Sequence, residues 1–189
     1  MKVTSRETYK IVRGILELKK FTQYQLGKKE DVTFSLVNRV VNWFVSRGYV
    51  AKRRGYYELI SAAAIFNLFP LYRKMKPHVS IDVNLSKEEV LGMLKDKGAL
   101  CLTTALSYYD NYFRDPTLCV YLRDEKVIRE LRAAPKGYTH IELYEEDLNK
   151  DDFLKKDGQL VTSKIRTVID LFCSNKAYAA ERLVKKEWS

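Results

Sequence analysis

Residues 22–60 read TQYQLGKKEDVTFSLVNRVVNWFVSRGYVAKRRGYYELI. This stretch predicts a short helix over 22–29, a tight turn, a second helix over 34–47 and then a β-hairpin. Thr22 and Thr33 are residue types that cap helix N-termini, and Gly48 suits the position just after a helix. The residues that follow this helix predict two strands joined by a turn, and the turn ends in a glycine. The stretch therefore has the order helix, turn, helix, hairpin.

The second helix of this stretch has two distinct faces. Its apolar residues recur at spacings of three and four, which is the period of an amphipathic helix. The opposite face is polar and carries Ser35, Asn38, Arg39 and Asn42. A polar helix face between a preceding helix and a basic hairpin has the plan of a winged helix-turn-helix, a module that places one helix in the major groove of DNA.

The positive charge of the chain lies in the same part of the sequence. Residues 1–77 contain sixteen lysine and arginine residues against five acidic ones, a net charge of +11. Residues 78–189 contain eighteen against nineteen, a net charge of −1, which together give the +10 of the whole chain. A basic region that coincides with a recognition motif is typical of nucleic-acid-binding proteins, because phosphates attract lysine and arginine.

The residue types in this motif predict how it would contact DNA. Asn38, Arg39 and Asn42 suit the bidentate hydrogen bonds that read adenine and guanine edges. Thr33 and Ser35, near the start of the same helix, suit base edges or phosphates. Contacts to the backbone, or from the hairpin tip to the minor groove, are expected from residues of the preceding helix and the hairpin: Gln23, Gln25, Lys28, Lys29, Lys52, Arg53, Arg54 and Tyr56.

Other interpretations of these residues stay open. A polar helix face is commonly only a solvated surface, and a basic turn commonly serves only solubility. DNA binding is favoured because these features follow one another in the chain and coincide with the local positive charge. Winged helices also mediate contacts between proteins, and a nuclease or nucleotidyltransferase can carry one as a targeting device. An interaction module would not bind DNA, whereas a targeted enzyme would turn over nucleic acid with a metal ion.

The remainder of the chain predicts a second domain of mixed helices and strands. The fold class is therefore α/β (α+β), with a winged helix-turn-helix at 1–77 followed by a mixed α/β domain at 78–189. Strands are expected at 78–85, 117–123, 138–144 and 158–162. Further helices are expected at 5–20, 62–74, 86–97, 99–113, 125–133, 163–172 and 177–188.

Composition and motifs exclude several classes of protein. The longest apolar run is too short for a membrane span and the N-terminus lacks the apolar core of a secretory signal, so a cytoplasmic protein with no membrane partner is expected. Cys101, Cys119 and Cys173 lie far apart in apolar runs, which predicts reduced core residues. There is no P-loop, GxGxxG or nucleophile elbow, so we expect neither enzymatic activity nor a cofactor or metal.

The second half contains an acidic cluster and a charged pair. The cluster consists of Glu142, Glu145, Glu146, Asp147, Asp151 and Asp152. Carboxylates of this kind bind Mg²⁺ in some enzymes or dock basic partners, but metal ligands usually come from separated segments, so a solvated loop is the favoured interpretation. Arg166 and Asp170 are four residues apart on a predicted helix and are expected to pair.

Two segments of the second half, GALCLTTALSYY at 98–109 and VTSKIRTVIDL at 161–171, carry a resemblance to a known family. The second is similar to the V-T-S-x-x-R-T-x-x-D-L segment of AbiEi proteins, the antitoxins and autorepressors of type IV toxin–antitoxin systems. In that family a winged helix also precedes both segments. The resemblance implies a repressor of its own promoter whose second domain counteracts a toxin, typically a nucleotidyltransferase-like protein. The expected partners are double-stranded DNA, a cognate toxin and a second copy of the chain, since many winged-helix regulators dimerise on palindromes.

Overall fold

The computed structural model describes residues 1–147 and 152–188. The chain forms two compact units, one of residues Met1–Lys74 together with Val184–Ser189 and one of residues Met75–Leu183. Each unit combines helices with its own β-sheet, so the predicted α/β fold class is confirmed. The division after Lys74 lies close to the boundary predicted at 77, whereas the assignment of the last residues to the first unit was not predicted.

The first unit contains a three-stranded antiparallel sheet in the order β1-β3-β2. In chain order its elements are α1 (Arg6–Leu18), β1 (Lys20–Phe21), α2 (Gln23–Glu30), α3 (Phe34–Val45), β2 (Val50–Arg53), β3 (Tyr56–Leu59) and α4 (Ala62–Phe66). The helices and hairpin of residues 22–60 agree with prediction to within two residues. Strand β1 was not predicted, because two residues are too few to show a periodic pattern.

Capping interactions explain where the helices of this unit begin. Thr22 accepts a hydrogen bond from the backbone N–H of Gln25, and Gln25 Oε1 accepts one from the backbone N–H of Thr22, which is a capping box. Ser5 and Thr33 occupy the N-cap positions of α1 and α3, but neither side chain makes a capping hydrogen bond. The capping predicted for Thr33 is therefore confirmed in position but not as a side-chain hydrogen bond. Gly48 follows α3 with a φ of 71°, which glycine adopts without strain.

Helices α1 and α2 approach each other closely at Gly14. A Cβ atom at this position would lie 2.5 Å from Leu26 Cδ1 and 2.9 Å from Glu30 Oε1. Glycine is therefore required by the packing rather than by the helix. The predicted apolar face of α3 is confirmed as its buried face, with the residues Val37, Val40, Val41 and Phe44.

The prediction of a helix over residues 62–74 is wrong beyond its first turn. Helix α4 ends at Phe66, and a 3-10 turn follows at Phe69–Leu71. Pro70 lies within this turn. Proline has no N–H to donate to an α-helical hydrogen bond and disfavours helical backbone in the residue before it, which explains the break.

Residues 187 and 188 pack within the first unit. Trp188 Nε1 donates to the carbonyl of Leu16 at 2.7 Å, and its ring meets that of Phe66 edge to face with centroids 5.2 Å apart. The ammonium of Lys19 donates to the carbonyl of Glu187. The core of this unit is thus built from two stretches that are far apart in the sequence.

The second unit contains a six-stranded mixed sheet in the order β4-β7-β6-β5-β9-β8. Its elements are β4 (Val79–Val83), α5 (Lys87–Leu94), β5 (Gly98–Leu100), α6 (Leu102–Leu106), β6 (Leu118–Leu122), α7 (Glu125–Ala133), β7 (Thr139–Tyr144), β8 (Phe153–Lys156), β9 (Gln159–Thr162), α8 (Lys164–Cys173) and α9 (Ala177–Trp188), the last of which continues into the first unit at Val184. Strand β6 pairs in parallel with β7 and β5 with β9, and the other neighbours are antiparallel.

One prediction for this unit is wrong, and one of its strands was not predicted. The helix expected over residues 99–113 is wrong, because Gly98–Leu100 forms an interior strand and the helix that follows spans only Leu102–Leu106. A Cβ at Gly98 would lie 2.9 Å from Val120 Cγ1, so this residue permits close strand packing and does not terminate a helix. Strand β8 was not predicted, because its lysines obscure the apolar pattern of an edge strand.

The cysteines lie in the core, and the described helices show no candidate membrane span. Cys101, Cys119 and Cys173 are all buried, which confirms their predicted place in the core. Among residues 1–147 and 152–188, no helix combines the length and the apolar character that a bilayer crossing requires.

Candidate nucleic-acid interface

A chain of hydrogen bonds joins side chains of α2, α3 and β3. Gln23 Nε2 donates to Asn38 Oδ1 at 3.1 Å and to the hydroxyl oxygen of Tyr57 at 3.1 Å. Asn42 Nδ2 donates to the same oxygen of Asn38 at 3.0 Å. Gln23, Asn38 and Asn42, which we call the amide cluster, are thus brought together from two helices, and Tyr57 fixes the cluster to the hairpin.

The amide cluster leaves polar atoms for a partner. Asn38 Oδ1 accepts both internal hydrogen bonds, whereas Asn38 Nδ2 and Asn42 Oδ1 make none with the described residues. These two atoms are a donor and an acceptor on an exposed helix face. Adenine presents the complementary pair in the major groove, with N7 as acceptor and the N6 amino group as donor.

The other predicted residues of α3 lie on the same solvent-exposed surface. Thr33, Ser35 and Arg39 are all exposed. Arg39 makes no ion pair with any residue that the structure describes, so its guanidinium is available. Arg47 differs, because its guanidinium carbon lies 3.7 Å from the centroid of the Trp43 ring. Arg39 is thus an exposed arginine of α3 that no carboxylate of the described residues engages.

The predicted phosphate-contacting residues of α2 differ in how far they are already engaged. Gln25 Oε1 serves the capping box. Lys29 Nζ lies 3.1 Å from Glu17 Oε2. Lys28 is exposed and has no ion pair within the described part of the chain. Lys28 is therefore the cation of this helix that is best placed for a backbone contact.

One carboxylate restrains two cations at the hairpin. Glu58 Oε2 accepts a hydrogen bond from Arg53 Nε at 3.1 Å, and Glu58 Oε1 lies 3.1 Å from Lys20 Nζ. The hydrogen bonds from Lys20 and Arg53 lower the pKa of Glu58, and the hydrogen bond to Glu58 raises the pKa of Lys20. The register of β1 on β3 explains the contact, because Lys20 lies directly opposite Glu58. The remaining predicted hairpin residues are exposed: Lys52, Arg54 and Tyr56.

Several residues of this surface were not identified from the sequence. Tyr57 and Glu58 could have been assigned to opposite faces from strand alternation, but their partners depend on tertiary packing. Tyr24 and Phe34 expose large rings, with 70% and 60% of their surface accessible. Exposed aromatic rings beside a polar helix face suit apolar contact with thymine methyl groups.

The acidic cluster of the second unit differs from the solvated loop that was predicted. Asp152 is only 2% exposed. Asp147 and Asp152 lie 3.1 and 3.9 Å from the guanidinium of the buried Arg166, whose Nε donates to Asp170 at 2.9 Å. The predicted pairing of Arg166 with Asp170 is therefore confirmed, whereas Asp151 lies outside the described residues. In the described ranges, no group of three or more His, Cys, Asp or Glu side chains is placed to hold a metal ion.

The fold and this surface define an α/β protein whose first unit presents an amide-bearing helix face within a basic region. Comparisons of the chain with protein-family models, with curated proteins and with solved structures found no match.

Proposed function

We propose that the protein is a sequence-specific DNA-binding regulator of transcription whose first unit acts as a winged helix-turn-helix. In this proposal α3 enters the major groove and the β2–β3 hairpin lies along the neighbouring backbone. The observation that carries the proposal is the amide cluster of Gln23, Asn38 and Asn42. It lies on the surface of a region whose net charge is +11.

The side chains of this surface suit two kinds of DNA contact, one to base edges and one to phosphates. The amide cluster and Arg39 suit base edges, which carry the sequence information. Lys28, Lys52 and Arg54 suit phosphates, which give affinity and position. If about five cations reach phosphates, the logarithm of the association constant falls with the logarithm of salt concentration with a slope of about −4 to −5.

The resemblance to AbiEi proteins extends the proposal to a biological role. We propose that the protein acts in the cytoplasm as an antitoxin-like repressor of its own promoter and that its second unit binds a cognate toxin. Arg166 and Asp170 of the resembling segment are fully buried, so their role is to hold the fold, and a toxin would contact other residues. A neighbouring gene for a nucleotidyltransferase-like protein would support this role.

The test is binding of the full chain to DNA from upstream of its own gene and to unrelated DNA, measured by fluorescence anisotropy across a salt series. A preference of about a thousandfold with a steep salt slope is expected. Equal, salt-sensitive binding to both DNAs would rule out a specific regulator and favour a targeted enzyme. Failure to bind either DNA would favour an interaction module.

Matched variants connect the result to the amide cluster. The double substitution Asn38→Ala and Asn42→Ala should lower affinity for the preferred site and leave binding to unrelated DNA nearly unchanged. Asn67→Ala is the control, because Asn67 is an exposed amide of the same unit whose side chain, among the described residues, bonds only to the carbonyl of Ala63. An equal loss for the double variant and the control would remove the amide cluster from the proposal.

A further inference from the structure

A cavity of about 490 Å³ lies in the second unit. It is lined by Lys87 at the start of α5, by residues of α6, and by the loop that follows α6 as far as Pro116. Its volume falls in the range of pockets that hold small ligands. None of its lining residues belongs to the proposed DNA-binding surface.

The charges of the cavity favour an anion. Lys87 and Arg114 line it as exposed cations, and neither has an ion pair with any residue the structure describes. Asp115 also lines the cavity, but its carboxylate is already paired with a cation. Lys176 Nζ lies 3.3 Å from its Oδ2, and the backbone N–H of Thr117 donates to its Oδ1 at 2.9 Å. The two open cations therefore dominate the electrostatics of the cavity.

The hydroxyl groups of the cavity wall have committed their protons to acceptors in the protein. Thr103 donates to Asp115 Oδ2 at 3.0 Å, and Thr104 donates to the carbonyl of Thr117 at 3.1 Å. Ser107 donates to the carbonyl of Thr104 at 2.8 Å. Thr104 Oγ1 also accepts a hydrogen bond from the backbone N–H of Cys119 at 2.8 Å. Toward a ligand the oxygens of Thr103 and Ser107 act as acceptors, because each hydroxyl has a single proton. A ligand that carries hydroxyl donors, such as a sugar, complements this wall.

The loop that follows α6 adds an aromatic residue and an amide to the lining of the cavity. The ring of Phe113 packs edge to face against Tyr178 with centroids 5.6 Å apart. Asn111 also lines the cavity. An aromatic ring provides a stacking surface for a planar base, and an amide can hydrogen-bond to the edge of that base.

We propose that this cavity binds a mononucleotide. The phosphate lies against Lys87 and Arg114, the ribose hydroxyls donate to the oxygens of Thr103 and Ser107, and the base lies beside Phe113. The cavity has two cations that make no ion pair with the described residues, hydroxyl oxygens that can accept hydrogen bonds, and an aromatic residue in its lining. Together these features favour a mononucleotide over a bare anion or an apolar molecule. This inference does not rest on the proposed DNA binding.

The test is isothermal titration calorimetry of the full chain with AMP, GMP, CMP and UMP, and with adenosine and inorganic phosphate as partial ligands. At least one nucleotide is expected to bind with a Kd of about 0.1 mM. Adenosine and phosphate should each bind about tenfold more weakly or worse, because each supplies only part of the contacts. Phosphate that binds as tightly as every nucleotide would overturn the proposal.

Variants assign the binding to this cavity. Lys87→Gln and Arg114→Gln should each weaken nucleotide binding about tenfold, since each removes a charge-assisted contact to the phosphate. Arg132→Gln is the control, because Arg132 is an exposed arginine of α7 that does not line the cavity. Thermal unfolding verifies that all three variants fold. No binding of any nucleotide at about 10 mM, or equal binding in all variants, would overturn the proposal.

Discussion

Glu58 lies opposite Lys20 in the pairing of β3 with β1 and also accepts a hydrogen bond from Arg53 at 3.1 Å. A single carboxylate thus occupies two cations of the surface proposed to contact DNA. Exposed ion pairs of this kind contribute little to folding stability. Their effect on DNA binding is larger, because a carboxylate repels phosphates and competes with them for both cations.

Replacing this carboxylate should strengthen non-specific DNA binding. In Glu58→Gln, Lys20 and Arg53 are released to reach phosphates, so affinity for unrelated DNA should rise. The salt slope should steepen by about 1–2, since each phosphate contact contributes about 0.9. Anisotropy titrations at several salt concentrations measure both effects.

Glu7→Gln is the matched control for this prediction. Glu7 is an acidic residue of α1 whose nearest cation is Lys10 at 3.9 Å. Glu7→Gln therefore removes the same charge as Glu58→Gln, but at a position far from the hairpin in the sequence. An equal gain of affinity in the two variants would mean that only net charge matters. In that case Glu58 would have no particular role in restraining the hairpin cations.

Arg39 is expected to determine specificity rather than general affinity. Arg39→Ala should cost about 1–3 kcal/mol on the preferred DNA site and little on unrelated DNA, because a bidentate contact to guanine is lost. Arg54→Ala should instead weaken binding to both DNAs by a similar factor, as expected for a phosphate contact. A uniform loss for Arg39→Ala would reassign Arg39 to the backbone.

Two glycines in helices should respond oppositely to alanine. Gly14→Ala places a methyl group 2.5 Å from Leu26 Cδ1 and should destabilise the first unit by about 1–3 kcal/mol, despite the better helix propensity of alanine. Gly92 is exposed in α5, and a methyl group there would meet no neighbouring side chain or strand within 4 Å, so Gly92→Ala should stabilise by about 0.5–1 kcal/mol. Urea unfolding measures both. A stabilising Gly14→Ala would show that α1 and α2 separate easily.

Arg166 is expected to be a structural residue. Its side chain is fully buried beside Asp170, Asp147 and the hydroxyl of Tyr121, which it approaches at 2.9–3.1 Å. Arg166→Ala leaves the buried carboxylate of Asp170 without its partner guanidinium and should destabilise the second unit by about 3–5 kcal/mol. Chemical unfolding of this variant beside Arg132→Ala, an exposed control, measures the loss.

The opposite outcome would assign Arg166 to function. If Arg166→Ala kept the unfolding midpoint of the parent chain and lost binding to a protein partner, the structural role would be wrong.

The thiols should be inert in the folded chain. Burial raises the pKa of Cys119 to about 12, and Cys101 and Cys173 are also buried, at 0% and 4% exposure. A thiolate-specific reagent at pH 8 should therefore label none of the three cysteines in buffer and all three in denaturant. Rapid labelling of one cysteine in buffer would show that its surroundings open readily.

The sequence predicted the composition of the candidate surface but not its internal contacts. The helical period places Asn38 and Asn42 on one exposed face of α3 whatever the tertiary structure. Their link to Gln23 depends on how α2 packs against α3, which no local pattern encodes. The link of Glu58 to Lys20 depends on a two-residue strand that has no periodic signal.

The failed secondary-structure predictions have a common physical origin. Residues 98–106 form one apolar run, and a buried strand and a buried helix both produce such a run. The chain resolves the ambiguity through packing, because Gly98 fits closely against β6 and α6 begins only at Leu102. Capping signals were more informative. Ser86 forms a capping box with Glu89 at the start of the helix predicted over 86–97, and Asp124 caps the helix predicted over 125–133.

The contacts of Trp188 with Leu16 and Phe66 have a consequence for biosynthesis. Residues 1–74 leave the ribosome first, yet the unit they form lacks part of its core until residues 184–188 have emerged from the exit tunnel. A nascent chain stalled before that point holds α1 without its tryptophan partner. The proposed DNA recognition would then require that residues 184–188 have been synthesised and have left the tunnel.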